Sequence, residues 1–143
     1  MKALKNAGLV LVLLLLASCE SNLQESTITA TLEQALPAIM KQESKTLLVI
    51  SSVDCNRCIY GELNQFLKQN QCDGVLLVAN GPKDKVELDQ NVQDVLNKHA
   101  IKIYRQDSPE LIIDIGKYSG IRQSPYILTY ADKDLSIAGL RGS

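Results

Sequence analysis

The sequence predicts one α/β domain, a central mixed sheet flanked by helices. Three observations predict it. Short continuous apolar runs, suited to strands buried on both faces, alternate with stretches whose apolar residues recur at helical spacing. The last apolar run is followed by a turn and a second strand, so the sheet ends in an antiparallel hairpin. The length of 143 residues, 45% of them apolar and 22% charged, is enough to bury one core without obligatory cross-links. A formal net charge of -1, with no block of Lys or Arg, argues against nucleic acid as a partner.

Residues 1–18 read as an address. Lys2 and Lys5 form a positive start, and Ala7 to Ala17 is almost entirely Ala, Gly, Val and Leu. That is a signal-peptide core, shorter than the roughly 20 apolar residues of a spanning helix. It ends in Leu16-Ala17-Ser18-Cys19, which resembles a bacterial lipobox. The resemblance implies cleavage before Cys19, lipidation of its sulfur, and a membrane as partner through that anchor. Residues 19–30 are then the lipidated cysteine and a polar tether, and 31–143 the folded domain outside the cytoplasm, in the cell envelope. Disulfides persist there.

In the domain, Thr31 is positioned to cap a helix, with Glu33 and Gln34 in its first turn. Leu32, Ala35, Leu36, Ile39 and Met40 make its apolar stripe, and Pro37 predicts a kink or a late start. Thr46 to Ser51 reads as a buried strand. After Cys55-Asn56-Arg57-Cys58, the residues Ile59, Leu63, Phe66 and Leu67 follow at helical spacing. Val75 to Ala79 is a second buried strand, and Leu88, Val92, Val95 and Leu96 another helical stripe. Ile101 and Ile103 predict a short strand. Ser108-Pro109-Glu110 supplies a cap, a proline at the first helical position and an acid in the first turn. Tyr126 to Tyr130 is a strand, Ala131 to Asp134 a turn, and Leu135 to Leu140 the hairpin partner.

The chemistry lies in Cys55 and Cys58. Between a buried strand and a helix, Cys55 falls at the helix start, where unpaired N–H groups and the dipole favour an anion. That lowers a thiol pKa, and the thiolate is the reactive form. Cys58, one turn on, is placed to resolve a mixed disulfide on Cys55 and is expected to be the more shielded of the two. Asp54, Asn56 and Arg57 are the residues that tune the pair, and the two charges oppose one another.

At this point the chain resembles the thioredoxin-like superfamily, in particular the membrane-anchored TlpA-like thiol–disulfide oxidoreductases. The resemblance rests on the helix and strand leading into Cys55 and Cys58. It rests equally on Tyr118-Ser119-Gly120-Ile121-Arg122-Gln123-Ser124-Pro125, which precedes a strand. It implies a cis bond at Ser124-Pro125, a proline packed by the cysteine pair, and a partner peptide bound through the backbone of Ser124. It implies catalytic Cys55 and Cys58, no cofactor, and envelope proteins with thiols or disulfides as partners. Three departures stand out. Asp54 replaces an aromatic residue, Val49 stands where these proteins carry a buried acid, and the C-terminal helix is absent, which leaves one sheet face thinly covered. The alternative function is a non-enzymatic thioredoxin-like binding module whose Cys55–Cys58 bridge is structural.

The other candidates have plainer readings. Cys72 reads as a small residue at a helix–strand junction, or as a thiol that pairs with another chain. His99 reads as a half-buried structural residue. Tyr60 and Tyr118 read as caps on the core edge or as flanks of the redox site. Cys55, Cys58, Cys72 and His99 would be needed together for zinc; no metal is implied.

Overall fold

The computed structural model describes residues 2–85 and 87–141. Side chains of residues 2–9, 11, 13–17 and 56 lie outside the described ones. Those of Lys2, Lys5, Leu16, Ala17 and Asn56, on which parts of the sequence reading fall, are therefore among them.

The elements follow the order helix, helix, strand, helix, strand, helix, strand, helix, strand, strand. They are α1 (Lys2–Ala35), α2 (Pro37–Met40), β1 (Lys45–Ser51), α3 (Asn56–Gln69) and β2 (Gly74–Val78), followed by α4 (Gln90–Lys98), β3 (Ile103–Gln106), α5 (Pro109–Ser119), β4 (Tyr126–Ala131) and β5 (Asp134–Gly139). They form one five-stranded sheet in the order β3-β2-β1-β4-β5. β1, β2 and β3 are parallel, and β4 and β5 run antiparallel to their neighbours. The mixed sheet flanked by helices is the predicted fold class, and its central strand β1 leads into the cysteine pair.

Alternation along β1 and β2 divides the core between the two sheet faces. Leu48, Ile50, Val75 and Leu77 face Ile59, Leu63 and Leu67 of α3 and Val92, Val95 and Leu96 of α4. Leu47, Val49, Leu76 and Val78 face Ile28 and Leu32 of α1 and Leu111 and Ile115 of α5. On the α3 face, Ile127 of β4 and the nearby Leu140 are buried in the core, whereas Ala138 of β5 is exposed. A groove of about 590 Å³ lies there, lined by Phe66, Gln69, Ile127, Thr129, Ala138 and Leu140 among others.

The N-terminal region departs from the sequence reading. Thr31 caps nothing: it lies inside α1, and its hydroxyl donates back to the Thr27 carbonyl at 3.0 Å. Thr27 and Ser21 do the same toward Leu23 and Ser18. Hydroxyls satisfied along the helix do not compete with it, so a polar segment continues helical through the region read as a tether. From Glu25 onward that segment packs on the domain. Ile28 is fully buried, Glu25 accepts the Tyr118 hydroxyl at 2.9 Å, and the Thr29 and Tyr130 hydroxyls are 3.1 Å apart. Pro37 breaks the helix, and α2 restarts with the proline in its first turn. No helix among the described residues is long and apolar enough to cross a membrane.

Elsewhere local signals act as read. α5 starts after Ser108 with Pro109 and Glu110 in its first turn, although the Ser108 hydroxyl makes no cap bond. It ends on Gly120 in the left-handed conformation, φ 72°, where a side chain would be strained. Asp132 and Lys133, both at positive φ, make the tight turn of the β4–β5 hairpin.

Candidate functional site

Cys55 occupies the cap position of α3 in extended conformation, and its carbonyl accepts the Cys58 N–H at 2.9 Å and the Ile59 N–H at 3.2 Å. The chain thus turns from the end of β1 into a helix that starts at the cysteines. Cys55 and Cys58 form a disulfide, with 5.2 Å between their Cα atoms. Both residues are exposed. Cys58, in the first turn of α3, faces solvent as Cys55 does. The exposed apolar side chains of Val53 and Tyr60 lie on either side of the pair in the chain.

Asp54 connects this turn to a distant loop. One carboxylate oxygen accepts the Ser51 N–H at 2.8 Å, and the other accepts the Ser124 hydroxyl at 2.7 Å. Ser51 is the last residue of β1, and Ser124 lies 70 positions from Asp54 in the chain. The Ser124-Pro125 bond is cis, as the family resemblance implies. Pro125 is buried, and its carbonyl accepts the Leu140 N–H at 2.9 Å. Beneath the loop, the Tyr126 hydroxyl donates to the Ile121 carbonyl at 3.2 Å. Burial, and then the charge of Asp54, push the Tyr126 phenol above its ordinary pKa.

Arg57 points elsewhere. Its guanidinium lies 3.4 Å from the carboxylate of Asp89, which caps α4 through the Asn91 N–H at 3.0 Å. The arginine side chain is 89% exposed, so the pair contributes little stability in water. Its consequence is that the positive charge beside the cysteines is shared with a carboxylate. Val49 is fully buried among apolar neighbours, so this position places no acid beneath the disulfide.

The remaining candidates lie apart from the pair. Cys72 precedes β2 at the end of the sheet opposite the cysteines, and its thiol donates to the Gly74 carbonyl at 3.3 Å. Burial pushes its pKa up to about 11, so it is an inert thiol at neutral pH. His99 is exposed at the C-terminal end of α4, not half-buried. The helical stripe places Val95 and Leu96 inward, and the chain leaves the helix before reaching His99. Tyr118 turns away to Glu25, and burial is the main reason its phenol is raised above its ordinary pKa. Among the described residues, no three metal-ligating side chains converge. Sequence reasoning missed the Asp54–Ser124 bond, for which the chain carries no local signal.

Fold and site together define a mixed α/β domain, a five-stranded sheet flanked by helices, with a solvent-facing CxxC disulfide beside a cis-proline loop. No protein-family model and no curated relative matches the chain. Among solved structures, it is similar to a secreted Mycobacterium tuberculosis disulfide oxidoreductase homologous to E. coli DsbE. The identity is 13% over 68% of this chain and 69% of the other, with a TM-score of 0.35. It is also similar to MTB DsbF, at 16% identity over 71% and 72% of the two chains, with a TM-score of 0.36.

Proposed function

We propose that this protein exchanges disulfides with other proteins of the bacterial cell envelope, held at a membrane by lipidated Cys19. The observation that carries the exchange is the exposed Cys55–Cys58 disulfide at the start of α3, tied through Asp54 to the Ser124-Pro125 loop. A partner thiolate attacks the Cys55 sulfur. The Cys55–Cys58 bond breaks and Cys58 leaves as a thiolate, which takes up a proton. A second partner thiolate then attacks the partner sulfur of the mixed disulfide, and Cys55 is released. The partner loses two electrons and two protons, and the Cys55/Cys58 pair gains them. The reverse sequence reduces a partner disulfide, so no further cofactor enters. The helix start favours the Cys55 thiolate, and Ser124 and Pro125 present the partner's strand.

The membrane-anchored, TlpA-like reading rests on the lipobox resemblance. The helix from Cys19 to Glu25 spans about 9 Å, so lipidation would hold the packed domain close to the membrane. The structural-bridge alternative draws on the apolar Val49 position. A bridge across one helical turn closes so short a loop that chain entropy credits it with about 2 kcal/mol.

Trapping distinguishes these. In Cys58→Ser, Cys55 attacks partner disulfides and nothing resolves the adduct, so mixed disulfides accumulate on non-reducing gels after acid quench. Cys55→Ser accumulates fewer, because Cys58 lacks the cap position. Equal and negligible adducts in both variants, with similar losses of stability, would leave the structural bridge as the reading.

A further inference from the structure

We propose that Asp54 is a positioning residue that clasps the cysteine turn to the cis-proline loop and, by its unneutralised charge, makes Cys55 a weaker acid than its helix-start position alone would. This rests on the exchange reading above and adds what controls it.

Geometry supports the clasp. The carboxylate spends one oxygen on the backbone at the end of β1 and the other on the Ser124 side chain. Hydrogen bonds to an ionised acceptor are stronger than neutral ones, and these two are short, at 2.8 and 2.7 Å. Ser124 is half-buried, so the bond is partly protected from water. Ser124 is also the residue whose backbone would receive a partner peptide. Fixing its side chain fixes that backbone before the partner arrives, which removes an ordering cost from binding.

Charge supports the second half. The N-terminus of α3 stabilises a thiolate on Cys55, whereas a carboxylate on the preceding residue opposes it. Arg57, the cation within the motif, is drawn to Asp89. Among the described residues no Lys, Arg or His lies at ion-pair distance from Asp54, and the groups seen on its carboxylate are the neutral Ser51 amide and Ser124 hydroxyl. From β4, the Tyr126 phenol feels the Asp54 charge and, being raised, is uncharged at neutral pH. Disfavouring the thiolate disfavours the reduced pair, so the couple becomes more reducing.

Three variants of the full chain separate the two effects. Asp54→Asn keeps the shape and two hydrogen-bonding atoms but removes the charge. Asp54→Ala removes both. Ser124→Ala removes the inter-loop bond and leaves the charge. One readout is the pH profile of Cys55 alkylation in the reduced protein, resolved from the other cysteines by peptide mass spectrometry. The Cys55 ionisation constant should rise about tenfold in both Asp54 variants and stay within twofold of the parent in Ser124→Ala. The reduction potential, titrated against glutathione, should become less negative in the Asp54 variants, by at most about 30 mV per tenfold. The other readout is KM for reduction of insulin disulfides, which should rise several-fold in Ser124→Ala and Asp54→Ala, and less in Asp54→Asn. An unchanged Cys55 profile in Asp54→Asn, or an unchanged KM in Ser124→Ala, overturns the proposal. Alkylation and potential need no partner, so they read the charge effect even if the parent reduces no insulin. A parent that reduces no insulin and whose Cys58→Ser variant traps no partners fails the exchange reading, and the clasp loses its role with it.

Discussion

Replacing Ile28 by alanine tests whether the segment before the domain is a tether or part of the core. Ile28 is fully buried and shares a cluster with Leu32, Leu36, Leu111, Ile115 and Tyr130. The substitution removes three carbons. At about 0.8 kcal/mol for each, lost burial alone is about 2.4 kcal/mol. The surrounding side chains come from two helices and the sheet, which cannot all close on the void, so a cavity term adds to this. We expect a loss of about 3 kcal/mol, a large share of the roughly 5–15 kcal/mol that a domain has. Leu23→Ala, one turn earlier at a side chain 69% exposed, is the control and should stay within about 0.5 kcal/mol of the parent. Urea unfolding of the full chain, followed by far-ultraviolet circular dichroism, measures both, with the slope unchanged if only stability has moved. Ile28→Ala as neutral as Leu23→Ala would refute the docking of α1 and restore the free tether.

Further outcomes concern titration, reactivity and location. Burial raises the Tyr118, Tyr126 and Tyr130 phenols above their ordinary pKa; the unfolded phenols ionise near 10. The folded protein therefore holds protons that the unfolded chain has lost. Stability from these groups is complete below pH about 10 and falls as pH rises through the folded values; a flat urea midpoint from pH 9 to 11, on the order of one unit either side of that value, would contradict it. Cys72, with a pKa of about 11, should have about one thiolate in a thousand at pH 8. Iodoacetamide should then label reduced Cys55 long before Cys72, and comparable rates would place Cys72 in a different environment. Cys19→Ala should release the protein from membranes with its urea midpoint unchanged, because the packed part of α1 begins at Glu25; membrane fractions still holding the variant would count against the lipid anchor.

Much of this molecule is set by short-range pattern, and that part was readable. The CxxC turn, the stripes of α3 and α4, the Pro109 start of α5 and the β4–β5 hairpin depend on residues a few positions apart, whose steric and solvation preferences act locally. Even Ile28 had a signal: it extends the Leu32 and Leu36 spacing back by one turn. Ser and Thr around it masked the helix, because their hydroxyls favour caps in isolation, whereas here they bond back along α1.

What tertiary structure alone decided is the environment of each chemical group. Val49 and Ile50 are equally apolar, yet they face opposite helices because β1 sits in the middle of the sheet. Cys58 carries nothing in its neighbours along the chain that tells exposure from burial, and only in the fold is it seen to face solvent. The Asp54–Ser124 bond joins residues 70 positions apart. It exists because the antiparallel pairing of β4 with β1 sets Tyr126 opposite Val49, and so brings the residues before Tyr126 back over the turn that follows β1. Hydrogen bonds reach only a few ångströms and Coulomb forces are screened within roughly 10 Å, whereas the sequence orders residues along the chain. The pairing of strands converts that order into distance, and with it sets which carboxylate stands beside the reactive sulfur.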